Sequence, residues 1–460
     1  MVYRKIIQKA AIFLMISLLA AFSYASETKN PSTKKPSLLL ITIDTLRADH
    51  LPFYGYKRNT APFLGRLAEN GIVFTNAYST SSWTVPAITS LATGVYPCSH
   101  GVVRGVVRRV HVYEQKPIPH TLSTLPEQLQ ALGYRTYAVT ANYHLTKELG
   151  FGRGFDRYAC VGFCAAEKVN KVFLEWKREI ELQKGPVFIW LHYFDPHLPY
   201  SARHPWLHRY QADETKMESN IISATARPAQ LRQLIKRKGH RILTLAQSHY
   251  DSEINYCDEQ IKKLFQEFPL LEQYTMIFTS DHGEEFLEHG KLTHDRDLYN
   301  ETVRIPLFIR LPGQASAANS REVVSIIDIA PTLINIAGGK IPPPWQGRAL
   351  INKNGPVPSQ EERYVLAHLH RNINLPLNAL IGLSWKLITN DKTQERELYN
   401  LQNDPGERNN LAKSQSETLK QQSEIFRKLV LSFPPAPVTQ EKKTFQKEKE
   451  DELRSLGYLQ

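Results

Sequence analysis

Many apolar residues of this chain fall into short, largely apolar runs that lead to a polar side chain. Leu38–Ile43 runs into Asp44, Tyr134–Thr140 leads to Asn142, Val187–Leu191 stops at His192, and Met276–Phe278 precedes Asp281. A half-wet strand alternates apolar and polar residues, whereas a strand covered on both faces does not, so these runs predict buried parallel strands. Helix-like segments such as Thr124–Leu132 and Ser252–Phe268 separate them. The combination predicts an α/β fold with a large central, mostly parallel sheet flanked by helices. Ligands of open α/β sheets bind beyond the carboxyl ends of the strands, so the polar residues that end the runs are expected to converge in space.

Further along, Ile329–Ile336 reads as a helix and Pro342–Pro344 as a break. Arg363–Leu369 and Ala379–Ile388 then read as strands of a smaller C-terminal α+β subdomain, with a turn at Asn403-Asp404-Pro405-Gly406. Pro434–Asp451 is proline-rich and then densely charged, the composition of a strap or an exposed helix without chemistry. The expected organisation is a catalytic α/β domain over 36–340, the subdomain over 341–432 and a charged tail over 433–460. At the other end, Arg4, Lys5 and Lys9 precede the apolar run Ala10–Phe22 and the small-residue site Ser23-Tyr24-Ala25. This predicts a bacterial secretory signal over residues 1–25 and a periplasmic or secreted protein. The alternative is an uncleaved segment that anchors the chain to the inner membrane, for which the run is short.

At 460 residues, 42% hydrophobic and 22% charged, the composition is that of a globular protein with a sizeable core. The formal net charge of +12 falls to +9 without the three basic residues of the signal segment. Two clusters carry much of it: Arg104, Arg108 and Arg109, and Arg232, Lys236, Arg237, Lys238 and Arg241. The first follows the segment "TVPAITSLATGVYP" and is expected at the pocket mouth, with Arg108 and Arg109 attracting an anionic substrate; a plain basic loop or edge strand is the alternative. The second reads as a solvated face. Association with a membrane surface fits the charge, and no nucleic-acid motif accompanies either cluster, so a nucleic-acid partner is not expected. Cys98, Cys160, Cys164 and Cys257 show no paired zinc spacing. Cys160 and Cys164 could bridge a tight loop in an oxidising compartment, and Cys98 and Cys257 read as buried thiols.

The strand-end residues carry the chemistry. Asp44 in "ITIDTLRADH" and Asp281-His282 in "FTSDHGEE" offer hard oxygens and one imidazole nitrogen, a donor set for one divalent ion. His144, His197 and His294 lie in similar strand-end or loop contexts and could bind an anion or protonate a leaving oxygen. A second ion held by Asp195, His197 and His294 is the less favoured arrangement. Thr84 opens a helix-like run with Pro86 in its first turn, so it is either a helix cap or a nucleophile at a helix N-terminus.

Several stretches together resemble the sulfatase family of the alkaline phosphatase superfamily: "LLLITIDTLRADHLPFYGY", "TVPAITSLATGVYP", "WLHYFDPHLPY", "TSDHGEE", "LYNETVRIPLFIRLPG" and "ELYNLQNDPGERNNLA", in family order from Leu38 to Ala412. The resemblance implies that fold, a divalent metal (calcium as in sulfatases, or zinc or manganese) at Asp44, Thr84, Asp281 and His282, and catalysis on an anionic ester of a glycan, a lipid or a small molecule. Aligned on Pro86 and Thr93-Gly94, Thr84 occupies the nucleophile position. Sulfatases convert a Cys or Ser there to formylglycine; Thr84 is not a substrate for that conversion, so no formylglycine is expected. Ala87 and Ile88 replace the motif's Ser and Arg, Thr45 replaces the second Asp of an Asp-Asp pair, and Asn142 stands where many members carry a lysine that helps to bind substrate. The implied function is a hydrolase or transferase on a phosphate or sulfate ester with unmodified Thr84 as nucleophile and His144, His197 and His294 in catalytic roles. The alternatives are an inactive sulfatase-like binding protein and a sulfuric ester hydrolase that works without formylglycine.

Overall fold

The structure is a computed structural model that describes residues 35–103, 107–109, 112–210, 216–225, 227–313, 318–352, 355–356, 362–370, 376–437 and 443–444. The predicted signal segment, Arg104 and most of the charged tail lie outside the described residues. No described helix is long and apolar enough to cross a membrane.

Eight strands form the central sheet: β1 (Leu38–Ile43), β2 (Ile72–Tyr78), β3 (Arg135–Thr140), β4 (Arg157–Cys160), β5 (Val187–Tyr193), β6 (Thr275–Ser280), β7 (Leu307–Arg310) and β8 (Ala318–Ser325). Their spatial order is β8-β2-β7-β6-β1-β5-β3-β4. Only β7 runs antiparallel to its neighbours. The largely apolar runs have their physical reason here, because both faces of the sheet are covered. Leu39, Ile41, Ile189, Leu191 and Phe278 point into one core, beneath the long helix His240–Glu267. Leu38, Leu40, Phe188, Trp190 and Ile277 point into the other, beneath Thr84–Thr93 and Ile329–Ile336.

Helix ends follow local chemistry. Thr124 and Glu127 form a reciprocal capping box at the start of Leu125–Ala131. The helix His240–Glu267 begins earlier than the expected Ser252: Ile242, Leu243, Leu245 and Ala246 pack its first turns into the core, although no side-chain cap marks the start. The expected strand Ala379–Ile388 is instead a hairpin of Leu377–Ile381 and Trp385–Asn390 that turns at Gly382, where any Cβ would come within 2.7 Å of the Tyr364 ring. With Val365–Leu369 and Arg396–Asn400 these strands make a four-stranded antiparallel sheet. One of its faces is covered by the helix Ser416–Ser432 through Leu419, Ile425 and Phe426. The other packs on Tyr78, Trp83 and Val85. Of the tail, Lys443–Thr444 adds a short strand beside Val112–Gln115, which itself pairs with Val107–Arg109. Cys160 is not bridged to Cys164, a pairing that the sequence left open; its Sγ donates to the Asn142 carbonyl at 3.3 Å.

The subdomain is locked in place by a buried ion pair. Lys386 Nζ lies 2.7 Å from Glu407 Oε1 with both side chains fully buried, and Glu407 Oε2 accepts the Asn300 N–H at 2.6 Å.

Two buried histidines give the fold a pH dependence. His100 accepts the Val102 N–H at Nδ1 and places Nε2 3.1 Å from Ser90 Oγ, and burial pushes it down to about 3. His368, 2.8 Å from Asn378 Oδ1, is pushed down by burial to about 4. Below about pH 6.5 the unfolded chain takes up protons that these folded sites refuse, so stability falls with pH through that window. At pH 4.5 each should cost roughly 2 to 3 kcal/mol of stability. Tm measured against pH should drop between pH 6.5 and 4.5, and less steeply in His368→Gln; an equal slope in parent and variant would contradict this account.

Candidate active site

β1 and β6 are neighbours in register, Ile43 opposite Ser280, so the next residues, Asp44 and Asp281, leave the sheet side by side. Both are fully buried. The backbone N–H groups of Thr45 and His282 donate to Asp281 Oδ1 at 3.2 and 2.9 Å. Thr45 itself takes a left-handed φ of +54°, unusual for a β-branched residue. The hydroxyl of Tyr250 holds that turn, donating to the Thr45 carbonyl at 2.7 Å and accepting the Arg47 N–H at 2.9 Å.

Asn142, just past β3, donates to Asp44 Oδ2 at 2.8 Å, and its Oδ1 accepts the His144 N–H at 3.0 Å. The polar side chain expected to bind substrate is thus built into the support of Asp44. His192, whose Nδ1 lies 2.8 Å from Thr42 Oγ1, places Nε2 3.6 Å from Asp44 Oδ2. The His282 Nδ1 donates to the Gly283 carbonyl at 3.0 Å, which leaves Nε2 as the lone-pair nitrogen. That Nε2 lies 3.5 Å from both Asp44 Oδ1 and Asp281 Oδ2. Neither of those two carboxylate oxygens has a hydrogen-bond donor among the described residues.

Burial alone would raise both carboxyls, but the pair divides. Contact with His192 and the nearby His197 and His282 hold Asp44 well below the usual carboxylate range. Burial and the charge of Asp44 push Asp281 well above it. Two orphaned carboxylate oxygens and one imidazole nitrogen, all within 4.8 Å of one another, fit a divalent cation. Thr84 completes the group. It is the first residue of its helix; the cap position belongs to Trp83, and the Thr84 side chain makes no capping bond. Its Oγ1 instead faces His282 Nε2 at 3.4 Å.

The three further histidines are buried around this centre. The His294 ring lies 4.5 Å from that of His282 and 5.0 Å from that of His197, and its Nδ1 is 3.1 Å from Glu284 Oε1. His197 stacks on Phe194 at 4.4 Å, and burial lowers its pKa, favouring the neutral ring. His144 packs edge-on against Trp83, the residue before Thr84. Asp195 does not join a second metal centre: one oxygen accepts the Ala166 N–H at 2.8 Å and the other pairs with Arg203, which also faces Glu253. Arg108 and Arg109 lie in the short strand Val107–Arg109, opposite Tyr113 and Val112, and their side chains lie outside what is described.

Sequence reasoning placed Asp44, Thr84, Asn142, Asp281 and His282 in one cluster, as found. It expected His192 among the converging strand ends but gave it no role, and it missed Glu284. His192 was legible as the polar end of an apolar run, and Glu284 as the second residue after His282. Ile88, where the family motif has arginine, is fully buried in the core with Leu38, Phe74 and Leu91.

The sulfatase family profile matches residues 36–339, and the profile "N-sulphoglucosamine sulphohydrolase, C-terminal" matches 288–431. An ulvan-active sulfatase of Formosa agariphila is 26% identical over 386 residues; the match takes in 75% of this chain and 59% of the length of that protein. Among solved structures, a 2-O GAG sulfatase, BT1596, superimposes with a TM-score of 0.70 at 18% identity, covering 87% of this chain and 92% of that one. A phosphonate monoester hydrolase from Silicibacter pomeroyi also gives 0.70 at 18% identity, covering 89% and 99%. These superpositions show that the fold is shared.

Titration of the purified protein with calcium, magnesium, manganese or zinc should raise its Tm. A ligand present at a hundred times its Kd stabilises by about 2.7 kcal/mol. Asp281→Ala should abolish the shift, and His282→Ala should reduce it less because a formal charge is retained. A parent protein whose Tm responds to none of the four ions, and which carries no metal by elemental analysis, would refute the cation site.

Proposed function

The chain belongs to the sulfatase family of the alkaline phosphatase superfamily, and from that premise we propose that it is a metal-dependent hydrolase of sulfate or phosphate-type esters with unmodified Thr84 as its nucleophile. The observation that carries this reading is the hydroxyl of Thr84 turned away from any capping role and toward His282 Nε2, beside two carboxylate oxygens without donors.

Asp44, Asp281 and His282 would hold the cation. Bound there, it supplies Lewis-acid charge that lowers the pKa of a hydroxyl and draws an anionic ester into place. The chain supplies the rest. At the helix N-terminus, unpaired backbone N–H groups favour negative charge on Thr84 Oγ1 and on the anion it attacks. Oγ1 forms a bond to the phosphorus or sulfur as the bond to the leaving oxygen breaks, and the hydroxyl proton passes to the histidine cluster. His144 protonates the leaving oxygen, while His197 and His294 contact the non-bridging oxygens, with Glu284 fixing the His294 ring. Water then hydrolyses the threonine ester and regenerates the hydroxyl. Asn142 and His192 act through Asp44, which they orient. The secretory pattern of residues 1–25 assigns this activity to the periplasm or the exterior.

A cap role for Thr84 predicts only a stability loss of about 1 kcal/mol on removing the hydroxyl. A nucleophile role predicts that Thr84→Ser retains turnover of aryl sulfates, phosphodiesters or phosphonate monoesters, while Thr84→Ala loses it by roughly 10³-fold or more, still folded and metal-loaded. Thr84→Ala turning over as fast as the parent would remove Thr84 from the mechanism. Loss of all turnover in a metal-loaded parent, on all three substrate types, would favour the binding-protein reading.

A further inference from the structure

From Ser219 to Tyr250 the chain carries six Lys and Arg residues and no Asp or Glu. The structure folds this stretch mainly into the helix Pro228–Lys238 and the start of the helix His240–Glu267. Lys236, Arg237, Lys238, His240 and Arg241 gather at the junction, all exposed. Lys236, Arg237 and Lys238 have no carboxylate partner among the described residues.

Fold stability explains only part of this. Lys236, Arg237 and Lys238 sit at a helix C-terminus, where positive charge is favourable. His240 and Arg241 sit in the first turn of the next helix, where it is unfavourable, and that turn contains no acidic residue. Mutual repulsion among neighbouring cations adds to the cost. The helix that carries the patch touches a segment that leads to the site: Arg232 donates to the Gly290 carbonyl at 2.9 Å, and Gly290 precedes the strand Leu292–Thr293 that hands the chain to His294.

We propose that Lys236, Arg237, Lys238 and Arg241 form a docking surface for a polyanionic polymer, one that carries the ester cleaved at Thr84. The proposal rests on the hydrolase reading for what the polymer bears, and on charge complementarity for the docking itself. Cations spread along an exposed helix end match a chain of regularly spaced anions better than a single small ion. A bilayer matches less well, because the apolar residues of the same helix, Leu231, Leu234 and Ile235, pack into the core and none is presented for insertion. The second basic cluster thereby takes the role that its sequence reading as a solvated face did not give it.

The test is binding of fluorescent dextran sulfate and of long-chain polyphosphate to the full chain. Parallel arms use vesicles of phosphatidylglycerol and phosphatidylcholine, and the neutral polymer dextran. Dextran sulfate and polyphosphate should bind at low salt and weaken as ionic strength rises. The triple variant Lys236→Gln/Arg237→Gln/Lys238→Gln should bind them at least tenfold more weakly, with unchanged Tm, metal response and small-ester turnover. No polymer binding at low salt, binding within twofold of the parent in the triple variant, or binding to anionic vesicles alone would each overturn the proposal. Because binding is read without turnover, an inactive protein that binds polymer through these residues would refute the hydrolase reading and leave the docking surface standing.

Discussion

Asp44 and Asp281 leave two hydrogen-bonded parallel strands on the same side of the sheet, fully buried, with one oxygen of each turned toward a single imidazole nitrogen. Two carboxylates this close repel by about 4 kcal/mol at an effective dielectric of 20 if both are charged, in addition to the cost of taking each from water. Among the described residues no lysine or arginine pairs with either. Without a cation the pair divides, Asp44 toward its charged form and Asp281 toward its neutral one. Most of the surrounding detail answers this one constraint. Thr45 is bent into a left-handed turn so that its N–H, with that of His282, reaches Asp281, and Asn142 spends its amide on Asp44.

A site this costly has to be held from outside, and the C-terminal subdomain does part of the holding. The backbone N–H of His368 donates to the Thr80 carbonyl at 2.8 Å, and Ser81 Oγ donates to the His368 carbonyl at 2.7 Å, so the subdomain's first strand grips the segment that leads into Thr84. Trp83 and Val85, on either side of Thr84, are buried in the subdomain's core. The helix behind them is buried along its whole length, and its threonines Thr89 and Thr93 each donate 2.7 Å bonds to the carbonyl four residues earlier, while Ser90 pairs with His100. Thr84 therefore sits on a rigid element fixed from two sides, which positions a hydroxyl more sharply than a loop would.

How much of this was legible depended on whether the signal was local. The largely apolar runs before Asp44, Asn142, His192 and Asp281 fixed the strands, and strand polarity then predicted that their polar ends meet. The resemblance placed Thr84 in that group, although Thr84 alone is an ordinary helix-start residue. What stayed hidden was non-local. Nothing in the sequence shows that Tyr250, some two hundred residues on, clamps the Thr45 turn, that Asp195 is spent on Arg203 and Ala166, or that Ile88 packs into the core. The state of Cys160 was open for a related reason, since its short spacing from Cys164 makes a bridge conceivable while the Asn142 carbonyl gives the thiol another partner.

Charge balance connects the departures at positions 84, 87, 88 and 142 to the proposed chemistry. With a divalent ion, the charges of Asp44 and Asp281 sum to zero, and the buried His197 ring is biased to its neutral form. Such a site attracts a single negative charge through the ion and backbone dipoles but has no surplus cation for a second. Sulfate monoesters, phosphodiesters and phosphonate monoesters share that single charge near neutral pH, whereas phosphate monoesters carry close to two. On the proposed mechanism, Ile88 and Asn142, standing where the family motif supplies cations, would leave a site suited to monoanions. A threonine ester formed by such a substrate must be opened by water rather than by collapse to an aldehyde. In the proposed mechanism that step would put the demand on the histidines and on the subdomain-buttressed helix end.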